Sequence, residues 1–125
     1  SVAIARDRMR RLPTGGATPL ADGLLTAGQT IRNERLKDRE LRPFVVVVSD
    51  GEANVPIRAG RLLEVELREQ AQQLRHIGAR CTVVDTAPVG AAGQLLPRVA
   101  TWLAAPYHRL TQVQPSQLAT LSDPR

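Results

Sequence analysis

Two loops hold the residues best suited to chemistry. Thr18 lies in Gly15-Gly16-Ala17-Thr18-Pro19-Leu20, and Asp50 and Glu52 lie in Ser49-Asp50-Gly51-Glu52-Ala53-Asn54. A hard cation such as magnesium prefers hydroxyl, carboxylate and water oxygens, and it keeps several waters, so it needs few protein ligands. One threonine hydroxyl and one aspartate carboxylate on adjacent loops would suit it. On residue type alone each position has a second role open to it. Thr18 before Pro19 also fits a helix N-cap followed by proline at the first helical position, and Asp50-Gly51 also fits a turn after a strand. Gly15 and Gly16 do not begin a phosphate-binding loop, because no Lys-Ser or Lys-Thr pair follows them. His76 and His108 have no partner motif and read as surface or satisfied positions. No set of nucleophile, base and orienter is legible.

The elements that must position Thr18 and Asp50 follow from periodicity. Leu20, Leu24, Ala27 and Ile31 recur at helical spacing after Pro19, and a charged connector is expected from there to Pro43. Phe44 to Val48 is a continuous apolar run, predicted to be a central parallel strand covered on both faces. It ends at Ser49-Asp50. Arg61 to His76 is predicted as a second helix, with Leu63, Leu67, Ala71 and Leu74 inward and Gly78 as its C-terminal glycine. Cys81 to Val84 reads as a strand, Ala92 to Leu103 as a helix, Tyr107 to Leu110 as a short strand, and Ser116 to Leu121 as a last helix. Val2 to Leu12 looks helical, with no leading strand, and Ser1 suggests a processed or artificial start. Strands alternating with helices imply an α/β fold with a doubly wound parallel sheet, in which ligands sit beyond the carboxyl ends of the strands. Asp50 occupies such an end.

The 125 residues suit one domain, and 42% apolar with 23% charged residues is a globular composition. The net charge of +5 comes mainly from arginine, in two clusters. One is Arg6, Arg8, Arg10 and Arg11; the other is Arg32, Arg35, Lys37, Arg39 and Arg42, interleaved with Glu34, Asp38 and Glu40. Interleaving of that kind marks a solvated helix end or loop, with a subunit docking surface as the lesser reading. The aromatic residues are Phe44, Trp102 and Tyr107 alone, too few for a base-stacking platform, which argues against nucleic acid. No apolar run approaches the length of a membrane span and no signal peptide is legible, so a cytoplasmic location is expected. Cys81 is expected to be a buried strand residue.

Three blocks carry a family resemblance: Leu12 to Leu24, Val47 to Val55, and Val84-Asp85-Thr86. They resemble the von Willebrand factor A domain that closes magnesium chelatase D subunits, in the same order and on the loops predicted above. The resemblance implies a Rossmann-like von Willebrand A fold over residues 1–125, with its N-terminal strands missing. In that family a metal-ion-dependent adhesion site binds Mg2+ through an Asp-x-Ser-x-Ser segment, a later threonine and a later aspartate. Thr18 would be that threonine and Asp50 that aspartate, with Ser49 a neighbour. The Asp-x-Ser-x-Ser segment does not occur in this sequence, and Ser122-Asp123 stands in the wrong order. The site is therefore expected to be incomplete, and the sheet to have an open apolar edge beside Phe44 to Val48.

By the same resemblance, the chain would be a docking part of a chelatase D-like subunit. It would serve a motor ATPase and a porphyrin-binding subunit that insert magnesium into protoporphyrin, without being catalytic itself. The alternative is a non-catalytic von Willebrand A module of a cobalt-chelatase-like or other motor-associated protein. A basic nucleic-acid-binding α/β domain is the weaker third reading.

Overall fold

The computed structural model describes residues 2–5, 11–13, 19–51, 60–88, 90 and 93–110. Eight elements follow in order: β1 (Val2–Ala5), β2 (Arg11–Pro13), α1 (Leu20–Lys37), β3 (Phe44–Ser49), α2 (Leu63–His76), β4 (Arg80–Asp85), α3 (Leu95–Leu103) and β5 (Tyr107–Arg109). They build a five-stranded sheet in the order β2-β1-β3-β4-β5. The alternation predicted an α/β fold with parallel strands, and β3, β4 and β5 run parallel. The helix predicted over Ser116 to Leu121 lies outside the described residues.

The N-terminal stretch corrects the sequence reading. Val2 to Ala5 and Arg11 to Pro13 are paired antiparallel strands, with Ile4 opposite Leu12. Two β-branched residues alternating with alanine suit a pleated strand. A helix through this stretch would set Arg6 against Arg10 and Arg8 against Arg11 on one face, and like charges at those spacings repel. The expected open edge is also corrected. β1 pairs antiparallel with β3, Val2 opposite Val47 and Ala5 opposite Phe44, so the side of Phe44 to Val48 is hydrogen-bonded.

One cluster forms the core. It unites Val45 and Val47 of β3 and Cys81 and Val83 of β4 with Leu24, Ala27 and Ile31 of α1, Leu67, Ala71 and Leu74 of α2, and Leu96, Val99 and Leu103 of α3. Strand side chains alternate between faces, so the odd-numbered residues of β3 and β4 share one face and all three helices cover it. Phe44, Val46, Val48, Thr82 and Val84 point to the other face and none belongs to that cluster. The connectivity explains this layering. β2 is antiparallel to β1 and β1 to β3, so β2 and β3 run the same way. The units β2-α1-β3, β3-α2-β4 and β4-α3-β5 all step in one direction across the sheet. Crossovers of one hand then put their helices on one face. Leu24, Leu67 and Val99 are fully buried there, and each such side chain contributes about 1.5–3 kcal/mol.

The helix ends are set locally. α1 continues through the stretch expected to be a connector, because Arg32 to Lys37 holds good helix formers. It stops at Asp38, whose carboxylate accepts the Glu40 N–H at 3.1 Å and begins a turn. α2 ends as predicted at Gly78, where φ is +80°. The Gly78 N–H donates to the Arg75 carbonyl and the Ala79 N–H to that of Leu74, both at 3.0 Å, which satisfies two otherwise orphaned acceptors. α3 starts at Leu95 and places Pro97 in its first turn, where the missing N–H costs no helical bond.

Candidate metal centre

β3 delivers Ser49 and Asp50 to the carboxyl end of the sheet. The strand breaks at Gly51, whose φ of +79° is a left-handed conformation that glycine adopts without penalty. The Gly51 N–H donates to Ser49 Oγ at 3.0 Å and closes a tight turn around Asp50. Asp50 itself is exposed. The Thr86 N–H donates to the Ser49 carbonyl at 2.9 Å, so the end of β4 is fastened to the end of β3.

Beside Ser49 in register stands Asp85, the last residue of β4. Its carboxylate is 2% exposed and does not face the solvent as Asp50 does. Oδ1 accepts the Ala87 N–H at 2.9 Å, and Oδ2 accepts the Tyr107 hydroxyl at 2.5 Å. From β5, Arg109 donates to the Ala87 carbonyl at 3.2 Å. The phenol of Tyr107 is pushed above its usual range. Burial is the main cause, and the hydrogen bond and negative charge of Asp85 add to it, with Arg109 opposing. Asp85 is thus spent on holding the segment after β4 against β5.

Of the residues singled out from sequence, Asp50 is placed at the mouth formed by the strand ends. Thr18 and Glu52 lie outside the described residues. His76 is exposed at the end of α2 and His108 lies in β5, and they do not meet. The clasp, in which Tyr107 bonds Asp85 and Arg109 bonds the Ala87 carbonyl, was missed. Its only signal in sequence was an aspartate at a strand end, because each partner comes from 22 residues further on. Among the described residues no three His, Cys, Asp or Glu side chains come together as a metal cluster. The donors at the mouth, an exposed carboxylate and a neighbouring hydroxyl, are of the hard oxygen type that magnesium takes, and an ion that keeps most of its waters needs little more.

Over 94% of its length the chain is 31% identical to the magnesium-chelatase 67 kDa subunit of Chlorobaculum parvum, covering 20% of that protein. The similarity is to one region of that chelatase subunit. The relation extends to the magnesium-chelatase 60 kDa subunit of Rhodobacter capsulatus, 31% identical over 70% of the chain and 16% of that protein. An uncharacterized protein of Mycobacterium tuberculosis is 40% identical over 94% of the chain, which spans 18% of it. A further uncharacterized protein, from Methanocaldococcus jannaschii, is 30% identical over 70% of the chain and 49% of its own length. The chain spans 20% and 16% of these two chelatase subunits and 18% of the mycobacterial protein. No protein-family model and no solved structure matches the chain. None of its described helices is long and apolar enough to cross a membrane.

Proposed function

We propose that this segment is a metal-dependent protein-docking domain of a magnesium chelatase D-like subunit, acting in the cytoplasm. The whole protein would support the ATP-driven insertion of magnesium into protoporphyrin by joining a motor ATPase to a porphyrin-binding subunit. The observation that carries the reading is the placement of Asp50. An exposed carboxylate sits on a glycine-closed turn at the carboxyl end of the central parallel strand, the end at which α/β sheets bind ligands. The similarity to two chelatase subunits points the same way.

In this reading Asp50 and Thr18 hold a resident Mg2+, directly or through water, and the ion supplies an open coordination position for a carboxylate of the partner. The chain's own contribution is positional. Ser49 and Gly51 fix the direction of Asp50, and the Asp85 clasp fastens the adjoining β4 end, so that the mouth stays open to a partner.

The test is calorimetric titration of Mg2+ into the full protein, with Asp50→Ala and Thr18→Ala beside it and a pull-down of the motor subunit in magnesium and in EDTA. Both variants are expected to weaken magnesium binding and to lose the magnesium-dependent part of the capture. Unchanged magnesium affinity in both removes the assignment.

A second reading is favoured by the Methanocaldococcus relative, in which the matching segment makes up about half of the protein. A von Willebrand A module used outside a chelatase, in a cobalt-chelatase-like or other motor-associated protein, would recognise protein through the same residues. Capture of a motor partner without a porphyrin-binding subunit distinguishes this reading from the first.

A further inference from the structure

The opposite end of the sheet is unlike the Asp50 end. There α1 and α2 finish, the turn from Asp38 to Pro43 enters β3, and β4 begins. These pieces are joined into one surface. Arg35 donates to the Ile77 carbonyl and so ties the last turns of α1 and α2 together. Arg32 donates to Gln73 Oε1 at 2.8 Å. The Arg80 N–H donates to the Pro43 carbonyl at 3.2 Å. Onto this platform project Arg39, Arg42, Arg75 and Arg80, all exposed and without an ion pair among the described residues. The acidic residues of the same stretch are partly taken up locally, since Glu34 pairs with Lys37 at 3.7 Å and Asp38 accepts the Glu40 N–H. Beside the arginines stands Leu36, 84% exposed and the most exposed large apolar side chain among the described residues.

The geometry points to this basic end as a docking surface for an acidic protein segment that carries an apolar side chain for Leu36. Guanidinium groups match carboxylates in shape and charge, and attraction between such patches steers encounter. A leucine held in water among cations adds what a polyanion alone does not use. Nucleic acid fits this surface poorly, because it offers no ring for stacking. Phe44 is buried, Trp102 is engaged by Arg68 and Arg98, whose guanidinium carbons lie 5.4 and 5.3 Å from its ring centre, and Tyr107 belongs to the Asp85 clasp.

The experiment measures fluorescence anisotropy with the full protein and three probes: a peptide of alternating glutamate and leucine, the same peptide with serine for leucine, and a single-stranded oligonucleotide of equal charge. The expected result is that the glutamate–leucine peptide binds on the order of tenfold tighter than the serine peptide. Leu36→Ser should erase that difference, and R39E with R42E should abolish capture of both peptides. EDTA should change nothing, which separates this surface from the magnesium-dependent one. Leu36 is exposed enough that its substitution leaves the fold intact, and circular dichroism checks the double arginine variant. Equal binding of the two peptides, or an oligonucleotide that binds tighter than either, overturns the assignment and leaves only a general attraction for polyanions.

Discussion

The Asp85 clasp can be measured as a coupling energy. Tyr107→Phe removes the phenol oxygen while keeping the ring, and Asp85→Asn keeps an acceptor for the Ala87 N–H while removing the charge. Hydrogen bonds to charged groups contribute about 1.5–3 kcal/mol. Here the acceptor is a buried carboxylate 2.5 Å from the hydroxyl, but Tyr107 is only half-buried, so water recovers part of its bonding in either variant. A double-mutant cycle by urea unfolding is therefore expected to show coupling of about 1–2 kcal/mol between the two positions. The chain has one tyrosine, so its ionisation is read directly by ultraviolet absorbance. The midpoint should lie above the usual value of about 10 and fall in Asp85→Asn, since the carboxylate's bond and charge both raise it. A folded-state value above the unfolded one means that the protonated phenol favours folding. That stabilisation is complete below about pH 10 and is lost as pH rises through the folded value. Coupling under ~0.5 kcal/mol, with an unmoved midpoint in Asp85→Asn, would refute the clasp.

Two further outcomes follow from β4. Thr82 is 2% exposed and its hydroxyl finds no hydrogen-bond partner among the described residues. Thr82→Val keeps the shape and removes the unsatisfied group, so the urea midpoint should rise by the equivalent of about 1–3 kcal/mol; a fall would show that the hydroxyl is bonded. Cys81 is buried and its thiol is pushed up to about 12 by desolvation. It should react with Ellman's reagent at pH 8 only as fast as the fold opens. Its contribution to stability should persist below the ordinary thiol value of about 8.5 and drain away as pH climbs towards the folded one. Fast labelling of the native protein, at a rate indifferent to urea, would contradict that burial.

Residues whose local pattern and tertiary role agree were legible in the sequence. β3 and β4 announce themselves as apolar, largely β-branched runs ended by aspartate, and α2 as a periodic face closed by Gly78. The N-terminal hairpin was not legible, because β1 is only four residues long and its partner β3 is some forty residues away. Short apolar runs leave helix and strand undecided until pairing decides. α1 outran its apolar stripe because good helix formers carry the chain on without further burial. At the candidate site Asp50 could be read from its position after the best strand. The role of Asp85 could not, since register alone brings β5 beside it and supplies Tyr107 and Arg109.

A parallel strand has a direction, and three of them lend it to the whole body. The six residues of β3 at about 3.3 Å each set the Asp50 end and the arginine end about 20 Å apart. They face opposite ways along the strands, with the sheet and its one layer of helices running from one to the other. A partner seated at one pole leaves the other in water, and two partners on the two poles need not touch. With both proposed dockings in place, the segment would have the valence of an adaptor, holding two different proteins in line at a distance set by one strand.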